Sequence, residues 1–276
     1  MIRITNLLVA LVIVATVSLN AFAQEPSQAQ MAEAEKVFNT ANDLMEKRKH
    51  AEAFTHYKRV LAILPNNPAA LFNAGMAAFA SKDYSAALDM WLQMKKVEPT
   101  EWQVRSKLIQ AYQALKKFPE RDAERAELFA MWKKGEPAEL KNEFEYCRDQ
   151  FEVNGKQVLA FEHFELKGNR ALRYVFSILD DTGQAEDYRI SMGSYDTTNN
   201  IWAAMQNPKP KEGDRLFHLD GYFKGGGHAT YGMYPPPEPT YDQIREIVVK
   251  ILEGKDKPVS STTPSGPAKT EPKPKP

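Results

Sequence analysis

The chain has 276 residues, 43% hydrophobic and 26% charged, with 36 Lys and Arg against 36 Asp and Glu and a single cysteine, Cys147. This is the balance of a globular protein with room for one large domain or two small ones. Neutrality excludes the basic surplus of a nucleic-acid binder, and one cysteine excludes an intrachain disulfide framework.

The first 23 residues have the form of a secretory signal. Arg3 gives a weakly basic start, Leu7 to Leu19 is an apolar run, and Ala21-Phe22-Ala23 fits the small-x-small cleavage rule. The run falls short of the ~20 residues that span a bilayer. Cleavage after Ala23 is therefore expected, leaving no stable membrane span and placing the mature chain in a periplasm or outside the cell. Residues 24–31 are polar and read as a flexible lead-in.

Helical periodicity follows. Val37, Ala41 and Leu44 share one face. After a turn at Lys47 to His50 come Ala53, Tyr57, Val60 and Leu64. Pro65 stops that helix, and Asn67-Pro68 supplies a cap with proline at the first helical position. The plan then repeats: Ala53, Tyr57 and Pro65 recur 34 residues later as Ala87, Trp91 and Pro99, and Ala41 recurs as Gly75. A fixed period of this length marks stacked helical hairpins, none of which can bury its apolar face alone. Small residues at 41, 53, 75 and 87 allow close helix approach, and Tyr57 and Trp91 fill the space between.

This pattern resembles the tetratricopeptide repeat family over residues 34–132. Two units match its small residue, alanine, aromatic and proline positions. A third begins well with Leu108 and Tyr112 but has Arg121 and Arg125 where alanine and an aromatic belong, so Ala123 to Trp132 reads as a degenerate capping helix. The resemblance implies a concave groove for a protein or peptide partner. By position, it would be lined by Phe38, Asn42, Met45, Phe72, Met76, Phe79, Gln110 and Gln113. Most of these are apolar, unlike a basic groove that clamps a peptide carboxylate. Packing of the same stripe against the chain's own second half is the alternative.

Gly135-Glu136-Pro137 marks a boundary. Leu140 to Arg148 reads as a short helix or the lead into a strand. Gln157 to Leu166 follows Asn154-Gly155, a strong hairpin turn signal. Strands are expected at Arg170 to Leu179, Asp187 to Met192 and Arg215 to Phe223. Tyr241 to Leu252 is an amphipathic helix with Ile244, Ile247, Val248 and Ile251 on one side. The fold class is thus α helical-hairpin repeats followed by an α+β domain with an antiparallel sheet and a C-terminal helix. The expected domains are residues 1–23 (signal), 24–31 (lead-in), 32–135 (helical), 136–254 (α+β) and 255–276 (a disordered Pro/Lys-rich tail).

Chemistry is sparse. His218 and Asp220 lie two apart on one strand face, and with His228 they are the residues from which an open metal site could be built, though an imidazole bonded to a carboxylate is common without metal. Gly225-Gly226-Gly227 lacks the Lys-Ser/Thr of a phosphate loop. Pro235-Pro236-Pro237 reads as a rigid connector. Gly193-Ser194-Tyr195-Asp196 lacks the second glycine of a nucleophile elbow. Cys147 has no hydrolase signature around it and reads as a small apolar residue. The sequence implies no cofactor and points to an exported interaction scaffold acting on a partner in the cell envelope. A small hydrolase or metal-dependent enzyme in the second half is the alternative.

Overall fold

Six helices pair into three antiparallel hairpins: α1 (Gln28–Glu46) with α2 (His50–Ile63), α3 (Pro68–Ala80) with α4 (Tyr84–Val97), and α5 (Trp102–Ala114) with α6 (Phe118–Lys134). The structure, a computed structural model, describes residues 25–140, 144–164, 170–196, 215–223, 227–234, 237–258 and 260–262. The expected signal peptide, Gly225-Gly226, Pro235-Pro236 and the tail beyond residue 262 lie outside the described residues.

The 34-residue period appears in the backbone. Within each hairpin the turn passes through one residue of positive φ, at Arg48, Lys82 and Lys116. Asn67 accepts from the Ala70 amide at 2.8 Å and Pro68 opens α3, the cap expected from the sequence. Ala41, Ala53, Ala74 and Ala77 are fully buried around Tyr57. Trp91 is fully buried, and its indole nitrogen donates to the Phe72 carbonyl at 3.2 Å. Gly75 permits that approach, because a Cβ there would overlap the indole nitrogen and lie 2.6 Å from Trp91 Cδ1.

A short 3-10 turn (Ala138–Leu140) leads to β1 (Phe144–Val153), followed by β2 (Lys156–Phe164), β3 (Arg170–Leu179), β4 (Ala185–Asp196), β5 (Arg215–Phe223) and β6 (His228–Tyr234). Then come α7 (Tyr241–Leu252) and β7 (Ser260–Thr262). The strands form one antiparallel sheet in sequence order, with β1 and β7 at its edges. Asn154 and Gly155 both take positive φ in the β1–β2 turn, the geometry that suits the twist of a hairpin. One face of the sheet, including Val158, Ala160, Phe176, Ile178, Ile190, Met192 and Leu219, packs on Ile244, Val248 and Ile251 of α7. Each of the larger side chains contributes about 1.5–3 kcal/mol on burial.

The halves share a core. Ile109, Leu128 and Trp132 of the last hairpin pack with Leu140, Phe144, Tyr146 and Phe164. Gly135, in the left-handed region at φ 66, caps α6, so the sequence boundary at residues 135–137 is a turn between parts that pack together.

Several elements differ from expectation. α1 begins at Gln28, inside the span read as lead-in, because Ser27 and Gln30 form a reciprocal capping box. α6 runs from Phe118, not Ala123, with Pro119 in its first turn. Cys147 and Arg148 belong to β1, while β6 and β7 were not anticipated, the latter lying in the span read as a disordered tail. Gly193-Ser194-Tyr195-Asp196 completes β4, which extends beyond the expected Asp187 to Met192. Among the described residues, no helix is long and apolar enough to cross a membrane.

Replacing a helical glycine by alanine usually gains up to about 1 kcal/mol. At Gly75 the sign should reverse, since the added methyl must displace a buried indole. We expect Gly75→Ala to lower unfolding free energy by about 1–3 kcal/mol. Urea unfolding at neutral pH checks this, and an unchanged midpoint would refute the tight α3–Trp91 packing.

Candidate functional site: the repeat face and its joint with the sheet

The eight residues expected along the groove separate into two groups. In the first two hairpins Phe38, Asn42, Met45, Phe72 and Met76 are half-buried. Phe38 stands edge-on to Tyr57 at 5.6 Å, and Asn42 accepts from the Tyr57 hydroxyl at 2.6 Å. Phe79 is nearly buried against Tyr84 and Trp91, with ring centroids at 4.9 and 5.7 Å. It belongs largely to the hairpin's own core.

In the third hairpin Gln110 is only 2% exposed and faces the sheet. Its Nε2 donates to the Cys147 carbonyl at 2.6 Å, beside Ser106 Oγ at 3.1 Å. Gln113 accepts from Arg121 Nη1 at 2.6 Å. The chain's own edge strand therefore covers this end of the repeat face.

Beyond α5, the joint is ionic. Glu162 on β2 is 2% exposed and accepts from the Tyr146 hydroxyl and Arg148 Nη1, both at 2.6 Å. Arg125 of α6 spans both oxygens of the same carboxylate. Burial would push the Glu162 carboxyl up, but the Arg148 and Arg125 guanidiniums overcome it and hold it below the usual carboxylate range. Burial, reinforced by the Glu162 charge, pushes the Tyr146 phenol well up. Arg121 reaches Asp242 at the start of α7 through two bonds of 2.8 and 3.1 Å. On the same side Asp149 accepts from the Tyr241 hydroxyl and Arg245 Nε, both at 2.8 Å. Arg121 and Arg125, which depart from the repeat pattern, are thus the residues that clasp the second half. The departure was visible in the sequence, but its carboxylate partners on β2 and α7 carried no signal.

Between the open hairpins and the sheet lies a cleft of about 800 Å³. Met45, Phe79 and Tyr84 line it on the repeat side, with Gln150, Phe151 and Glu152 of β1 on the other. Lys82 and Glu152 pair across it at 3.7 Å.

His218 Nδ1 bonds Asp220, whose second oxygen accepts from Thr230 Oγ1 at 2.8 Å. His228 is exposed and stacks on Tyr222 at 6.5 Å. Among the described residues, no group of three or more His, Cys, Asp or Glu is placed to hold a metal. Burial pushes the Cys147 thiol up to about 11, so it is protonated and a poor nucleophile at neutral pH.

Residues 44–108 match the family model for the tetratricopeptide repeat. Over residues 44–108 the helical half is built of tetratricopeptide repeats. The match ends inside α5, and the sheet half has no family match. Similar solved structures include the Sgt2 tetratricopeptide domain from Aspergillus fumigatus, at 24% identity over 41% of this chain and 68% of that one (TM-score 0.34). The first tetratricopeptide domain of Spaghetti (RPAP3), solved with an HSP90 peptide, matches at 18% identity over 39% and 83% (TM-score 0.35). The CopN–Scc3 complex matches at 15% over 43% and 70% (TM-score 0.38). A comparison with curated proteins finds no match.

Removing the Glu162 charge leaves buried Arg148 with the exposed Asp122, at 3.8 Å, in place of its close carboxylate partner. Loss of one partner of a buried pair typically costs about 3–5 kcal/mol, and Glu162→Gln should lose stability of that order at pH 7. Because the folded carboxyl titrates below its unfolded value near 4.3, its contribution is full above that value and fades as pH falls through the folded one. The difference in urea stability between pH 7 and pH 3 should therefore be smaller in Glu162→Gln than in wild type. An equal difference would show that the carboxylate is not the ionic centre of the joint.

Proposed function

We propose that this chain is an exported protein, periplasmic or secreted, whose tetratricopeptide repeats act as a protein–protein interaction scaffold for a protein or peptide partner in the cell envelope. The observation that carries the reading is the repeats themselves. Repeats of this kind stack into an extended surface that binds by covering a partner rather than by reacting with it. The division of that surface adds to it: the third hairpin is committed to the sheet half, while Met45, Phe72 and Met76 of the first two stay half-buried on their own. Unbranched methionine beside aromatic rings suits a surface that must fit a partner's shape. Export is supported by the leader sequence, with its apolar run and Ala21-Phe22-Ala23.

Capture from envelope extract with the full chain as bait tests the scaffold. Met45→Ser combined with Met76→Ser should reduce recovery of specific partners about tenfold, while thermal unfolding moves by only a few degrees, since neither side chain is fully buried. Undiminished capture by the double variant would place binding elsewhere.

Export has its own readout. Mass spectrometry of the protein recovered by osmotic shock or from the medium should show a chain beginning at Gln24. Recovery only in the cytoplasm with residues 1–23 intact would remove the localisation while leaving the interaction role standing.

A further inference from the structure

β1 is an edge strand, and the turn that follows it fixes which way its backbone faces. Val153 and Lys156 pair across the Asn154-Gly155 turn. In a two-residue hairpin those flanking residues exchange hydrogen bonds, so Val153 turns its N–H and C=O toward β2. Phe151 and Asp149 do the same by alternation, and Gln150 and Glu152 turn theirs outward. The register shifts between Cys147 and Asp149, which resets the alternation and brings the Cys147 carbonyl to the outer edge. There Ser106 and Gln110 of α5 donate to it. α5 thus substitutes for a neighbouring strand at Cys147 and goes no further. Among the described residues, no hydrogen bond reaches the main chain of Gln150 or Glu152.

Gln150, Phe151 and Glu152 line one side of the cleft of about 800 Å³, which extends over Gln157 of β2 and Leu179 of β3, and its opposite side carries Met45, Phe79 and Tyr84. That size suits a short extended segment. Its charge is uneven: Glu46, Glu152, Asp180 and Asp181 face it against Arg48, Lys82 and His50. Lys82 is already drawn to Glu152, and Glu46 and Asp181 are exposed.

We propose that the cleft takes an extended peptide segment of a separate protein, added as a strand to β1 at Gln150 and Glu152 and presenting Lys or Arg to Glu46 and Asp181. Backbone hydrogen bonds to the edge hold such a segment, and the alternate side chains select it. The inference rests on the scaffold reading and names the chemistry of its partner.

The test uses the full chain and three capped synthetic hexapeptides: alternating Val-Lys, alternating Val-Glu, and Val-Lys with alternate amides N-methylated. Titration calorimetry should show Val-Lys binding at least tenfold tighter than either other peptide. Amide hydrogen exchange should slow tenfold or more at Gln150 and Glu152 when Val-Lys is added. Glu152→Pro removes one outward donor without touching the β1–β2 ladder, a substitution that edge strands tolerate. It should keep the wild-type melting temperature within a few degrees and bind Val-Lys about fivefold more weakly or worse.

Equal binding of the N-methylated peptide, undiminished binding by Glu152→Pro, or protection confined to α1 and α3 would overturn strand addition while leaving the scaffold reading intact. Absence of binding by all three at millimolar concentration would overturn the cleft as a peptide site. Slow exchange at Gln150 and Glu152 in the free chain, relieved by dilution or by deleting residues 263–276, would assign the edge to a second copy or to the chain's own tail, also against the proposal. The scaffold reading itself fails only if the capture experiment fails.

Discussion

A carboxylate buried as deeply as Glu162 is tolerated only when cations and hydrogen-bond donors surround it. That requirement reaches across the molecule. Arg148 and Tyr146 meet it from β1, and Arg125 meets it from α6. A hydrophobic joint could slide, whereas a carboxylate that must receive two guanidiniums and a phenol fixes the angle at which the sheet meets the last hairpin. The fixed angle seats β1 against α5, where Ser106 and Gln110 take the Cys147 carbonyl. It also brings the start of α7 to Arg121. A well-packed apolar joint could match this arrangement in stability. What the ions add is one arrangement, and with it one shape for the cleft.

The repeats were legible because their physics is local and periodic. Small residues at 41, 53, 75 and 87 and large ones at 57 and 91 repeat at the spacing by which hairpins stack, and the turns at Arg48, Lys82 and Lys116 follow the same period. Arg170 to Leu179 and Tyr241 to Leu252 are legible to their observed boundaries, because alternation in the first and helical amphipathicity in the second run their full length. β1 was obscured by its own irregularity. The register shift beside Arg148 breaks the alternation that identifies a strand. β6 is short and interrupted by Gly232, and β7 is a serine–threonine stretch in a proline-rich region with no apolar face to read. Glu162 resembled any polar residue on a strand. Its burial follows from which helix lands on it, a contact 37 positions distant in sequence for Arg125.

The sheet half also explains why the third repeat could lose its pattern. In a solenoid the last unit must present a face that neither aggregates nor unravels, usually by becoming polar on its outer side. Here the alanine and aromatic positions became Arg121 and Arg125, and both are paired with carboxylates of the second half. Trp132 and Leu128 of the same helix join Phe144 and Phe164. The capping helix is therefore two-sided: apolar enough to extend the repeat core, and cationic enough to draw in a domain that buries its end.

An open sheet edge beside a half-buried apolar stripe is a hazard for any exposed chain, since edges recruit other strands. The fold limits it by length. At Cys147 the edge is held by α5, and at Asn154-Gly155 the hairpin ends, so between these two points outward-facing backbone remains at Gln150 and Glu152. Two residues are too few to template a growing sheet but enough to fix the register of one incoming segment. Glu152, Glu46, Asp180 and Asp181 further repel a second acidic edge. Because the same short edge is clamped to α5 and continues into Arg148 and the Glu162 knot, a segment seated there would touch the repeats through Met45 and Phe79 and the sheet through its backbone. Such a segment would bind only when both halves are in place, which makes the buried ion cluster part of the recognition surface it never touches.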